Sequence, residues 1–162
     1  MASSDEFCKN LISGILLHRA LAYSLKTRMG RCSIFSAALK KWNMLGRISL
    51  TGGEPFLSPH ILTLVDFLEQ SDEIKQFDIL TNGTCITDRH IEALVKSKKL
   101  HQIQISLDGL TEDIHDSVRG KGTFKKVLET IKTLQANNIE VSFMFTLMYQ
   151  NKGYALQIID FA

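Results

Sequence analysis

The chain has 162 residues, 44% of them hydrophobic and 22% charged, with 19 basic side chains, 17 acidic ones and a formal net charge of +2. That size suits one domain with a real core, and the ordinary composition argues against long disorder, a collagen-like repeat and a coiled coil. No apolar run reaches the roughly 18 residues of a membrane span, and the near-neutral total gives no reason to expect a nucleic-acid partner.

Charge is unevenly placed. Residues 1–46 carry seven Lys or Arg against Asp5 and Glu6, a local +5, and the remainder carries −3. Asp5 and Glu6 argue against a transit peptide. The short apolar stretch Leu11–Leu17, ended by His18 and Arg19, argues against a secretory signal. A cytoplasmic location is the expectation. Cys8, Cys32 and Cys85 are an odd set without clip spacing, so neither a disulfide framework nor a metal clip is expected from them.

Leu11–Leu25 has an amphipathic helical pattern, weakened by Gly14 and Gly30. From residue 47 onward the order is regular. Arg47–Thr51 reads as a strand, followed by glycines. Ser58 and Pro59 suit the start of a helix whose apolar face is Ile61, Leu62, Val65 and Leu68. Phe77–Thr81 is the next strand, broken by Asn82-Gly83. Thr87 can cap a helix with Ile91, Leu94 and Val95 on one face. Gln102–Leu107 is a third strand, ended by Asp108-Gly109. A helical turn follows Thr111, and Thr123 can cap a longer helix striped by Phe124, Val127, Leu128, Ile131 and Leu134. Glu140–Leu147 is a fourth strand, and Tyr154–Phe161 starts another helical pattern. Alternating strands and helices predict an α/β fold with parallel strands and helices outside. Polar and glycine residues collect at the C-terminal ends of the strands, where such folds bind ligands.

The most informative stretch is Leu50–Phe56, which holds Gly52, Gly53, Glu54 and Pro55. Two glycines at a strand end permit positive φ and expose peptide groups to a ligand. Glu54 supplies an anion for an ammonium group, and Pro55 stiffens the exit. A tight turn with a surface glutamate is the alternative.

With its neighbours, this stretch resembles the radical S-adenosylmethionine (radical SAM) family, from about Ala37 to the end. Ile48–Leu57 is similar to that family's second strand and GGEP loop, Ile79–Thr84 to its third strand and turn, and Ile103–Gly109 to its fourth strand. Ile114–Phe124 is similar to the following loop in the branch of molybdenum-cofactor biosynthesis protein A, sulfatase maturases and peptide-modifying enzymes. The resemblance implies a partial (β/α)6-type barrel core over 37–162 behind a divergent segment, 1–36. It also implies S-adenosylmethionine and a [4Fe–4S] cluster as cofactors, with a small-molecule or peptide substrate and an electron donor as partners.

The resemblance implies contacts for that cofactor from Gly52, Gly53, Glu54, Pro55, Asn82, Ser106, Asp108 and Arg119, with Thr146 and Asn151 at the end of the fourth strand. Glu54 suits the ammonium of the ligand and Arg119 its carboxylate, since a guanidinium pairs bidentately. Ser106 and Asp108 alternate along a strand and so share a face. A turn-forming Asp-Gly and a solvated surface arginine are the bland alternatives for Asp108 and Arg119. Of the scattered histidines His18, His60, His90, His101 and His115, the last alone lies near the expected site.

Members of the family carry CxxxCxxC after their first strand, and this sequence has no such motif. Cys8 has Ile12 and Ile15 where the other two thiolates would stand. The expectation is therefore a truncated, inactive piece of a radical SAM enzyme. A non-catalytic S-adenosylmethionine- or partner-binding module is the alternative, and an unrelated barrel enzyme using Glu54 and Asp108 as acid and base is a third.

Overall fold

The computed structural model describes residues 25–161. The Leu11–Leu25 pattern and Cys8 lie outside the described residues, apart from Leu25 itself. In chain order the elements are α1 (Leu25–Lys41), β1 (Gly46–Leu50), α2 (Ile61–Gln70), β2 (Ile74–Thr81), α3 (Asp88–Val95), β3 (Leu100–Ser106), α4 (Glu112–Arg119), α5 (Thr123–Ala136), β4 (Val141–Met144) and α6 (Ala155–Phe161). The four strands are parallel in one sheet of order β1-β2-β3-β4. This is the expected α/β arrangement. No helix among the described residues is long and apolar enough to cross a membrane.

The described residues form two compact units, one of residues 25–78 with Ser97–His101, the other of Ile79–Lys96 with residues 102–161. In the first, β1 alternates buried Ile48 and Leu50 with exposed Arg47 and Ser49. Gly46 lets α1 approach: a Cβ there would stand 2.5 Å from Leu39 Cδ1. Of the predicted α2 stripe, Ile61, Val65 and Leu68 are buried, joined by Leu64, whereas Leu62 is half-buried. Yet α2 starts at Ile61, later than Ser58-Pro59 suggests. The first-turn proline belongs instead to a 3-10 turn, Pro55–Leu57, which is capped by Glu54 and closed by the Ser58 amide donating to Pro55 O at 3.0 Å. Glu69 near the end of α2 accepts from Ser97 Oγ at 2.6 Å and the Lys98 and Lys99 amides at 2.9 and 3.3 Å. This anchors the start of β3. Asp78, almost wholly buried, accepts from Arg47 Nε at 3.3 Å and lies 2.8 Å from His101 Nδ1.

In the second unit, Ile103, Ile105 and Leu107 are fully buried, as are Val127 and Leu134 of α5. β3 and β4 pair in parallel from Ile103 opposite Val141 to Ser106 opposite Met144. The fourth strand is half as long as the expected 140–147. The reason is local competition for hydrogen bonds: the Thr146 amide donates to Asp108 Oδ1 at 2.8 Å and Thr146 O accepts from Asn151 Nδ2 at 2.9 Å, so neither extends the ladder. Thr87 caps α3 in a capping box with His90, as its position predicts. Thr123 does not cap α5, contrary to its predicted role: it is the first helical residue, and its hydroxyl donates to Asp116 Oδ1 and Gly120 O. The residue before it, Gly122, adopts φ 79°, and the Asp116 carboxylate of α4 accepts from the Gly122 amide at 2.5 Å, the Phe124 amide at 2.9 Å and Thr123 Oγ1 at 3.1 Å.

Candidate functional site

The loop after β1 makes a left-handed excursion at two consecutive residues, Gly52 (φ 104°) and Gly53 (φ 57°). Both are exposed. A Cβ at Gly53 would meet nothing within 4 Å, so the dihedral rather than space calls for glycine there. Half-buried Glu54 accepts the Phe56 amide proton at 3.2 Å, which orients its carboxylate, and Pro55 is buried behind it.

In the second unit the strand-end residues fall into two groups. Asn82, after β2, turns back on its own loop, Oδ1 accepting from the Thr84 amide and hydroxyl, both at 2.8 Å. This is the Asx turn that an Asn-Gly pair favours. Ser106, at the end of β3, is 4% exposed.

Asp108 is a hub. It is 0% exposed and all its polar groups are engaged. Oδ2 accepts from Arg119 Nε, Oδ1 from the Thr146 amide and the backbone carbonyl from Asn151 Nδ2 at 3.1 Å, while the amide donates to His115 Nδ1 at 3.3 Å. Fully buried Asn151 also takes the Met148 amide on Oδ1 at 2.7 Å. Four residues predicted separately, Asp108, Arg119, Thr146 and Asn151, are therefore one hydrogen-bonded assembly.

This arrangement changes the chemistry expected of two side chains. Asp108 is occupied inside the protein and acts as a clamp. Arg119 spends only Nε on Asp108. Its side chain is 30% exposed, and its Nη groups make no hydrogen bond to a described residue. The buried carboxylate thus holds a guanidinium whose outer edge can still receive an anion in bidentate fashion.

His115 completes the assembly and had little signal in the sequence beyond its proximity. It is buried against Phe124, with ring centroids 5.7 Å apart. Burial pushes its pKa below the ordinary histidine value; Asp108 and Asp116 oppose this, and Arg119 adds to it. Burial pushes the Asp116 carboxyl up, but the hydrogen bonds from Phe124, Gly122 and Thr123 outweigh it and the group titrates below the usual range. His115 and Asp116 fall on α4 so that one meets the end of β3 and the other the start of α5.

The sequence profile of the Radical SAM superfamily matches residues 35–162. The antilisterial bacteriocin subtilosin biosynthesis protein AlbA of Bacillus subtilis is 34% identical over 103 residues, covering 63% of this chain and 22% of that protein. GTP 3',8-cyclase of Clostridium perfringens is 32% identical over 117 residues, covering 72% of this chain and 36% of that protein. The chain thus spans between 22% and 36% of the length of these relatives. Among solved structures, native anSMEcpe with bound AdoMet superposes with a TM-score of 0.65 at 20% identity, over 79% of this chain and 36% of that one. Streptococcus suis SuiB bound to precursor peptide SuiA superposes with a TM-score of 0.56 at 20% identity, over 78% of this chain and 29% of that one. At that identity the likeness speaks for the fold.

Proposed function

The chain belongs to the radical SAM superfamily, and from that premise we propose that it is the S-adenosylmethionine-binding part of an enzyme that modifies a peptide or a small molecule. The observation that carries the reading is Arg119. A buried carboxylate fixes its Nε, and its Nη edge remains open at an exposed position. A guanidinium held this way suits the carboxylate of an amino-acid ligand. The Ser106 hydroxyl, at the end of β3, supplies a second polar group of the right kind for a ribose or amino-acid moiety. Taken by itself, the Gly52–Pro55 loop of the first unit exposes peptide groups through positive φ and carries Glu54, an anion that suits an ammonium group. Asp108, Thr146 and Asn151 act by holding Arg119 and the loop after β4 in place. Asn82 shapes its own turn. A cytoplasmic location belongs to the same reading.

The cysteines do not fit the cluster. The family's [4Fe–4S] group needs a thiolate triad in CxxxCxxC, and the 162 residues hold Cys8, Cys32 and Cys85. Among the described residues no group of three His, Cys, Asp or Glu side chains is arranged to hold a metal ion. We therefore assign no redox step to these residues and propose that the 162-residue chain is inactive by itself. Anaerobic reconstitution followed by iron and sulfide analysis and electron paramagnetic resonance should find no stoichiometric cluster. A cluster whose spectrum changes on adding S-adenosylmethionine would refute this.

Calorimetric titration of S-adenosylmethionine tests the binding reading. A charge-assisted hydrogen bond is worth roughly 1.5–3 kcal/mol, so Arg119→Ala should weaken binding about tenfold or more. Gly53→Val should weaken it as well, because a β-branched residue at φ 57° rebuilds the loop. Equal affinity in the wild type and both variants would show that the ligand sits elsewhere.

A further inference from the structure

We infer that His115 is a positioning residue: as the neutral Nε2–H tautomer it receives the Asp108 amide proton on Nδ1 and so fixes the end of β3 to α4, which carries Arg119. The inference rests on the proposed cofactor reading only for its consequence in binding; the positioning itself is a property of the chain.

The geometry selects the tautomer. The Asp108 amide hydrogen points at Nδ1 across 3.3 Å, so Nδ1 must carry the lone pair, and in a neutral imidazole the proton then sits on Nε2. Nε2 is buried and meets no hydrogen-bond partner among the described residues. A buried donor without a partner is unfavourable. The other tautomer is worse, because it would turn N–H against N–H at Asp108 and leave two buried groups unmatched. The ring is held in this orientation from both sides, by the end of β3 and by Phe124 of α5.

The same atom makes the hub sensitive to acid. Protonation converts Nδ1 from acceptor to donor and breaks the link to Asp108. The charged groups acting on the ring are Asp108 from the end of β3 and Asp116 and Arg119 from α4 itself, whereas α5 presents the uncharged Phe124 ring. Burial acts more strongly than either carboxylate, so the neutral form is favoured in the folded chain. The unfolded chain then binds the proton more readily. The stability that His115 contributes is fully present above the ordinary histidine pKa and falls as the pH drops below it, levelling off beneath the folded pKa.

The test compares the wild type with His115→Asn and His115→Phe, all without ligand. Asn places an amide oxygen near the position of Nδ1, whereas Phe keeps the ring and removes the acceptor. Nitrogen-15 spectra of the wild-type imidazole at pH 7.5 should show Nε2 protonated and Nδ1 bare. Amide exchange at Asp108, referred to the Leu107 amide in each protein, should accelerate about tenfold in His115→Phe and much less in His115→Asn. An Nδ1–H tautomer, or exchange at Asp108 unchanged in both variants, would overturn the inference. If His115→Phe fails to fold, the tautomer spectrum and the Asn variant decide it. S-adenosylmethionine titration is a separate arm. Weaker binding in His115→Phe with recovery in His115→Asn extends the inference to the cofactor. No binding even in the wild type, with the exchange result intact, supports the positioning role and overturns the cofactor reading alone.

Discussion

Asp108→Ala should lower the free energy of unfolding by about 3 kcal/mol, the lower part of the range for removing one partner of a buried pair. The carboxylate is 0% exposed and serves both Arg119 Nε and the Thr146 amide. Truncation leaves both donors without their acceptor. The Arg119 side chain is 30% exposed, so its guanidinium can recover water, which keeps the expected loss away from the upper end. Asp108→Asn separates the contributions. It retains an oxygen for the Thr146 amide but sets an NH2 donor against Arg119 Nε–H in place of the second oxygen, so it loses the Arg119 pairing, keeps the Thr146 hydrogen bond and should cost less than Ala by about that bond. Urea unfolding of the three proteins at matched salt is the measurement. A loss under 1 kcal/mol in the Ala variant would mean that the carboxylate is not what ties Arg119 and the loop after β4 to the end of β3.

The neighbouring residue should be as intolerant for a steric reason. A Cβ on Gly109 would stand 2.5 Å from Ile114 Cγ2, 2.8 Å from Ile114 Cβ and 2.9 Å from the backbone nitrogen of His115. Two of those atoms have little freedom to yield, since one is a helix backbone atom and one a branched β-carbon. Gly→Ala ordinarily stabilises by about 0.4–1 kcal/mol by restricting the unfolded chain. Overpacking costs typically 1–3 kcal/mol. The clash should therefore win, and Gly109→Ala should melt several degrees lower at roughly 2–4 °C per kcal/mol for a chain of this size. Displacing α4 also draws Arg119 away from Asp108, so S-adenosylmethionine affinity should drop with the melting temperature. Unchanged melting would show that α4 moves aside freely.

The elements read from the sequence are those whose signals are local. Most of the α2 and α5 stripes, the capping Thr87 and the strand read at 47–51, found at Gly46–Leu50, each rest on residues a turn or a pleat apart. The Asn82-Gly83 turn was equally visible, although its amide serves the turn itself. Misplaced boundaries trace to longer-range competition. Pro55, not Pro59, opens a helical turn because Glu54 is there to cap it. β2 and β3 begin earlier than expected, at Ile74 and Leu100, and the Phe77 amide bonding to Lys99 O shows pairing reaching into that stretch. The site divides in the same way. The residues could be picked out one at a time, but the Asp108 assembly joins positions 7 to 43 residues apart, a relation no local pattern encodes. The alternation expected to set Ser106 and Asp108 on one face is silent about Arg119 bonding to Asp108, which lies two residues beyond the end of β3. His115 illustrates the limit: a histidine three residues into a helix carries no mark of having a backbone amide beneath it.

Asn151 fixes more than hydrogen-bond geometry. Its side chain ties Thr146 O, the Met148 amide and Asp108 O together, so the chain's own hydrogen bonds brace the segment from 146 to 151. Fixing one residue's backbone costs roughly 1–2 kcal/mol of conformational entropy. Without Asn151, a molecule settling against this segment would have to order it on arrival. With it, that entropy is lost during folding, and the exposed Leu147 and Tyr149 side chains stand on a backbone with little freedom left to lose.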